Sequence, residues 1–335
     1  MTFRERYMAG EAEFDEIFGL AQKWNFSDDP RTLREYLGLT ADEEDIWISE
    51  SDEALEKYLE KEKNRWIFFT DLDGTLLNDE KNITEKNRKT LEAMREKGHV
   101  IVLSTGRALP SAKRQAETLG LMGAGCYIVC YNGGQIYDTE RDALIYRQSV
   151  PMEVVRSVFD DARDFGISIQ TYTATHVVTE QDNEDLHTYV QIQDLPFMVV
   201  EDVTQALEEE PPKILALSYK DPSRIQEFRS YIEPRCQGKL DLFLSHAALL
   251  ELVPPSVNKG NAVRFLCGYL GIPIGHSLAA GGAENDLTMI QAAGIGAAMC
   301  NGEAFLKEAA DYVTLADNNH DGVAEILEKF ILNAR

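Results

Sequence analysis

Long hydrophobic runs are missing from this chain: nowhere do about eighteen apolar residues follow one another, and the opening MTFRERYMAGEAEFDEIFGL breaks its apolar stretch with acids. A signal peptide or spanning helix is therefore not expected, and the sequence predicts a soluble protein of the cytoplasm with no membrane partner. Paired cysteines are lacking too. The five present (Cys126, Cys130, Cys236, Cys267 and Cys300) are odd in number and show no C-x-x-C spacing, which speaks against disulfides or a zinc site and for buried free thiols in a reducing compartment. The six histidines, His99, His176, His187, His246, His276 and His320, have no ligand spacing, so a histidine-based metal site finds no support. Positive charge is scarce. Against 57 Asp and Glu stand 33 Lys and Arg, for a net charge of -24; the long-range field would repel nucleic acid and anionic lipid unless a local basic site overrode it. Internal repeats and low-complexity linkers are also absent.

What is there is a globular composition, 44% apolar over 335 residues, long enough for two domains with sizeable cores. Residues 1–64 read as an acidic helical segment, with Phe14, Ile17, Phe18 and Ala21, then Leu33, Tyr36 and Leu37, then Leu55 and Leu59 at helical spacing. The charged EKYLEKEKNR reads as a solvated helix face. At WIFFTDLDGTLL the texture changes to a short unbroken apolar run, the mark of a strand buried on both faces. Thr84 then caps a helix that Gly98 stops. HVIVLSTGR and YIVCYNGGQI supply further strands between helices, and this alternation predicts a doubly wound α/β parallel sheet over 65–150 and 251–335. Between them, 151–250 alternates in a way that predicts an inserted α+β domain with an antiparallel sheet and helices on one face.

In a doubly wound sheet ligands bind beyond the carboxyl ends of the strands, and DLDGT, STGR, YNGG and GGAEND each follow an apolar strand. Asp71 and Asp73 are two residues apart; if the strand continues through Asp73 both carboxylates lie on one side of the chain. One can then act as nucleophile or metal ligand and the other as general acid and base, although DLDGT alone also reads as an ordinary strand-ending turn. In STGR, Thr105 and the flexible Gly106 suit phosphate oxygens, a capping turn being the alternative, and Arg107 adds a charge that either faces a ligand or solvent. Lys259 opens a helix where a cation opposes the macrodipole, which invites a functional reading. Asn132, Gly133 and Gly134 form either a plain turn or a contact between core, insert and substrate. GIGAAM, 294–299, begins like a dinucleotide fingerprint but follows a helix and lacks its third glycine, so a dehydrogenase is set aside.

DLDGTLL, LSTGR, NKG and ENDLTMI, in that order and with an insert after NGG, resemble the haloacid dehalogenase-like phosphohydrolases, in particular the Cof-type sugar-phosphatase branch with its large α/β cap. The resemblance covers 66–335. It implies a phosphatase that acts on a small phosphorylated metabolite such as a sugar phosphate, with Mg²⁺ as cofactor and the insert, 151–250, choosing the substrate. Asp71 would attack phosphorus to form an aspartyl-phosphate, and Asp73 would protonate the leaving alcohol and then activate water. Candidate phosphate contacts are Leu72, Thr105, Gly106, Lys259 and Asn285; candidate metal positions are Asp71, Asp73 through its backbone carbonyl, and Asp286; Asn132 and Arg107 are candidate substrate contacts. Tyr172, His176 and His187 of the insert are further contacts, with core or surface roles as alternatives. A monomer or homodimer is expected.

The chain departs from the resemblance at one position. The family's usual Gly-Asp-x-x-Asn-Asp has its first Asp on the metal, and here that place is Gly282. Water filling the gap, Glu284 or Asp286 reaching in, and a variant with lowered metal binding and activity are three competing accounts. A non-catalytic sugar-phosphate-binding protein and a phosphosugar mutase are the alternative functions.

Overall fold

Threonine and glutamate pairs set the helix starts in the first part of the chain. Thr2, Thr32 and Thr40 each accept a hydrogen bond from the backbone N–H of the glutamate three residues on, and the carboxylates of Glu5, Glu35 and Glu43 in turn accept from the threonine N–H. These reciprocal caps satisfy donors that a helix start otherwise leaves unpaired. The structure is a computed structural model and describes residues 1–333; it separates into two units, Met1–Arg65 and Trp66–Arg335. The first holds helices Phe3–Met8, Glu16–Asn25, Leu33–Leu37, Ala41–Ser49 and Asp52–Lys63 around a core of its own that includes Phe3, Phe14, Ile17, Leu37, Leu55 and Leu59. Phe18, at a helical core spacing in the sequence, is instead 42% exposed.

The second unit carries two sheets. Its strands in chain order are β1 (Ile67–Thr70), β2 (Val100–Ser104), β3 (Cys126–Cys130), β4 (Gln135–Asp138), β5 (Ala143–Arg147), β6 (Ser168–Tyr172), β7 (Val177–Thr179), β8 (Phe197–Val199), β9 (Ile214–Leu217), β10 (Asp241–His246), β11 (Leu249–Val253), β12 (Ser277–Gly281), β13 (Ile295–Ala298) and β14 (Tyr312–Val313). The larger sheet runs β14-β13-β12-β1-β2-β3-β4-β5. It is parallel from β14 to β3, and β4 and β5 add an antiparallel edge. All four residues of β1 are buried: Ile67 and Phe69 join one apolar cluster with Val102, Val129 and Val263, while Phe68 joins another with Leu103, Ile128 and Val323. Burial on both faces is what the unbroken apolar run encodes. Between β1 and β2 lies helix Glu85–Glu96, whose cap is Thr84.

From β1 the chain builds outward through β2 and β3, and its last part builds the other way through β12, β13 and β14. The strand order thus reverses between β1 and β12, whose registers pair Thr70 with Ala280, and such a reversal opens a crevice at the carboxyl ends. The smaller sheet, β10-β11-β9-β6-β7-β8, spans 168–253, so its strand β11 runs three residues past the 151–250 expected for the insert. It is antiparallel as expected except at β7 and β8, which are parallel, because helix Glu184–Gln193 carries the chain across between them.

Candidate active site

The strand stops earlier than the spacing suggests. β1 ends at Thr70; beyond it Leu76 N–H donates to the Asp71 carbonyl and Leu77 N–H to the Leu72 carbonyl at 2.8 Å, while Gly74 turns at φ 76°. Asp71 and Asp73 therefore sit in a tight loop and meet different partners, not the same ones on a shared strand face. Lys259 Nζ donates to Asp71 Oδ1 at 2.7 Å. Asp73 instead receives Arg107 Nη2 at 2.8 Å and Lys81 Nζ at 2.7 Å.

Lys259 begins the helix Lys259–Leu270, capped by Asn258, which accepts from Asn261 N–H at 2.8 Å. The local cost of a cation there is offset by two carboxylates, since Nζ also donates to Asp286 Oδ1 at 2.6 Å. Asp286 is fully buried, and its other oxygen accepts from the N–H groups of Gly282 at 2.9 Å and Ala283 at 3.0 Å. Gly281 makes that close turn feasible, because a Cβ there would lie 2.5 Å from Asp286 Cγ. Burial disfavours the Lys259 charge, but Asp286 and Asp71 outweigh it and hold the ammonium above its ordinary pKa. Burial and the neighbouring Asp286 push the Asp71 carboxyl well up, against the pull of Lys259. At Asp73 burial acts upward too, yet Arg107 and Lys81 prevail and keep the carboxyl below its usual range.

The STGR loop follows β2. Thr105 is buried, with its N–H on the Val129 carbonyl and its Oγ1 accepting from Arg107 N–H at 3.2 Å. The Gly106 carbonyl accepts from Lys213 Nζ of the insert at 2.9 Å. Asn132 turns at φ 57° and its Oδ1 accepts from Asn285 Nδ2 at 2.9 Å, while its own buried Nδ2 finds no hydrogen-bond partner among the described residues.

Asp71, Asp73, Thr105, Gly106, Arg107 and Asn285 line one cavity of about 690 Å³. Leu72, Asn132, Lys259 and Asp286 do not line it, although Lys259 and Asp286 hold its floor through Asp71. Opposite, the insert contributes Tyr189, Lys213, Tyr219, Ser245, His246 and Glu251. Sequence reasoning missed these. Lys213 and Glu251 form a buried ion pair at 2.8 Å, with Ser245 Oγ on the other Glu251 oxygen at 2.7 Å; the available signal was a lysine directly before an apolar strand in PPKILALS and a glutamate inside one in LLELV. Of the insert residues singled out from sequence, Tyr172 is buried with its hydroxyl on Tyr189 at 2.7 Å. His176 borders a different cavity, and His187 pairs with Asp182 at 2.7 Å.

The three accounts of Gly282 can now be compared in space. Asp286 has both oxygens engaged, and Glu284 does not line the cavity. Among the described residues no three His, Cys, Asp or Glu side chains come together to hold a metal ion. The donors present, the Asp71 carboxylate and the Asp73 carbonyl, do not amount to the Mg²⁺ shell the resemblance implies. Beside Gly282 there is room: the three atoms nearest to a Cβ there would be Gly302 Cα at 3.5 Å, the Gly74 carbonyl at 3.9 Å and Thr75 Oγ1 at 3.9 Å, and this last buried hydroxyl has no hydrogen-bond partner among the described residues.

Comparison with known proteins matches this arrangement to a class. The sequence profile of the haloacid dehalogenase-like hydrolases fits residues 68–327, and the chain belongs to that family. A haloacid dehalogenase-like hydrolase from Bacteroides thetaiotaomicron has a similar crystal structure, with TM-score 0.72 and 33% identity over 79% of this chain and 99% of that one. YxeH of Bacillus subtilis (strain 168) is 30% identical over 78% of this chain and 97% of its own. From the same organism, the 5-amino-6-(5-phospho-D-ribitylamino)uracil phosphatase YitU is 28% identical over 80% of this chain and 98% of its own.

Proposed function

We propose that the protein is a phosphomonoester hydrolase acting on a small phosphorylated metabolite of the sugar-phosphate type, and that it works in the cytoplasm. The observation that carries this reading is the Asp71 carboxylate at the wall of the cavity with Oδ1 fixed by a fully buried lysine. No hydrogen bond among the described residues reaches Asp71 Oδ2, so Oδ2 is the oxygen left for attack on phosphorus. The likeness to YitU supports a substrate with a phosphorylated sugar-like chain. Five free cysteines, four of them buried, support a reducing compartment.

In the first step the Asp71 Oδ2–P bond forms and the ester P–O bond breaks, the alkoxide taking a proton from the Asp73 carboxyl. In the second a water attacks the acyl phosphate, Asp73 takes its proton, and the Oδ2–P bond breaks to release phosphate. Lys259, the Thr105 hydroxyl and the Asn285 amide offset the charge that builds on the phosphoryl oxygens. Asp73, ionised between Arg107 and Lys81, is set up as the base; to serve as the acid it must lose those cations to the arriving phosphate dianion and take up one proton from solvent, which the attacking water of the second step then restores. Residues 151–250 act as a cap that closes over the ester and excludes water.

Gly282 favours a second reading, a phosphate-ester-binding protein without turnover. Phosphate release across a panel of sugar phosphates, measured for the parent and for Asp71→Asn, separates the two. Release that Asp71→Asn abolishes supports the hydrolase; no release from any ester, with binding retained, supports the binder.

A further inference from the structure

We propose that this protein has no self-standing divalent-cation site, and that a hard cation enters it only together with a phosphate group that supplies the missing oxygens. The proposal rests on the phosphate-site reading above. Three features of the structure carry it. The first is the state of Asp286: a carboxylate that accepts from Lys259 Nζ on one oxygen and from two backbone N–H groups on the other has three of its roughly four lone-pair sites taken, and the fourth lies on the oxygen that holds the Lys259 ammonium. To bind a cation it would have to abandon a buried ammonium, and a buried lysine left without that partner is costly.

The second is charge. Lys259 lies between Asp71 and Asp286 at 2.7 and 2.6 Å, so the cluster holds one positive charge against two carboxylates. A divalent cation arriving alone would meet only one formal negative charge in excess, and an ammonium close to the carboxylate it needs. Mg²⁺ gives up its water reluctantly and is commonly held by one or two carboxylates together with substrate phosphates. With a phosphate dianion in the cavity the excess rises to three, and phosphate oxygens complete the shell.

The third is the space at residue 282. Its φ lies outside the left-handed region, and a Cβ there has no contact shorter than 3.5 Å, so the backbone accepts an L side chain. After Gly302 Cα, the nearest neighbours of that Cβ are the Gly74 carbonyl, one residue past Asp73, and the Thr75 hydroxyl, which has no hydrogen-bond partner among the described residues. An aspartate at 282 would thus arrive beside the loop that carries both active-site carboxylates. Cation and phosphate are then reciprocally coupled in the parent, each raising the affinity of the other by one factor, and Gly282→Asp uncouples them.

The test is calorimetric titration of MgCl₂ into the protein, with and without saturating inorganic phosphate, repeated on Gly282→Asp and on Gly282→Asn, which has nearly the same volume but no charge. The parent is expected to give no saturable heat with Mg²⁺ alone and a binding isotherm with phosphate present. Gly282→Asp should bind Mg²⁺ alone at least about tenfold more tightly than the parent, and Gly282→Asn should behave as the parent. Saturable Mg²⁺ binding by the parent without phosphate, as tight as in Gly282→Asp, overturns the proposal. So does phosphate binding that brings no Mg²⁺ with it. Phosphate titrated alone shows whether the anion site exists, so a failure of the site reading is told apart from a failure of the coupling. Should Gly282→Asp not fold, the two parent titrations decide.

Discussion

Two lysines are buried in this molecule, Lys259 beside the parallel sheet and Lys213 in the insert, and their surroundings differ in charge. Lys213 meets one carboxylate, Glu251 at 2.8 Å, with the Gly106 carbonyl as a neutral partner and the Tyr172 ring 5.3 Å from its Nζ. That centre is balanced, and its lysine ties the insert to the STGR loop. Lys259 meets two carboxylates, so its centre keeps an excess negative charge beside a cavity. A balanced buried pair contributes order; one with a carboxylate in excess is set up to receive a counter-cation.

The comparison is broken most severely at Lys259. Lys259→Met leaves Asp71 and Asp286 buried without their cation and is expected to cost about 4–5 kcal/mol in denaturant unfolding, as well as phosphate release. Lys213→Met removes a single partnership and should cost less, about 3 kcal/mol. Its centre being neutral, the double change Lys213→Met with Glu251→Leu should bring stability back to within about 1 kcal/mol of the parent, whereas no single further apolar change repairs Lys259→Met. Equal losses at the two lysines, or no recovery in the double variant, would show that charge balance does not distinguish them.

A carboxylate outside both centres sharpens the scale. Burial is the largest single influence on the Glu325 carboxyl and acts upward, but the Tyr312 hydroxyl, the N–H groups of Leu315 and Ala316 and the Lys329 charge together outweigh it and leave the carboxyl below its usual range. A depressed acid stabilises the fold above its unfolded pKa, and that contribution fades as pH falls through the folded value. Glu325→Gln is therefore expected to cost less than about 1 kcal/mol near neutrality, given solvent screening. The gap to the parent should narrow as pH falls below about 4.5, which thermal unfolding at a series of pH values measures.

Much of the larger sheet was legible along the chain. WIFF and HVIVLS are unbroken apolar runs because both faces of β1 and β2 are covered, and Thr84 and Gly98 mark a helix by their own backbone chemistry. DLDGT, STGR and GGAEND each follow an apolar strand, and Asp71, Thr105 and Asn285 from them line one cavity, while Asn132 of YNGG does not. The divergence of Asp71 and Asp73 was not legible, since period-two spacing applies only while the strand lasts and the turn at Gly74 ends it first. Nor were the cavity residues of the insert: Lys213 and Glu251 are 38 positions apart, and each by itself looks like a polar residue on a strand. His187 and His176 drew notice for their chemistry, yet local partners hold them elsewhere.

The sequence by itself determined the family, the parallel core and the glycine at 282, because apolar runs, capping residues and motif order are local and are written in consecutive residues. Only the tertiary structure decided how that glycine matters. Asp286 lies four residues from it, but whether its carboxylate was free to take over depended on Lys259, 27 residues away, and on two backbone N–H groups brought together by the turn after β12. A carboxylate has a limited number of lone pairs, and the folded chain, by the partners it brings within 3 Å, settles where they go.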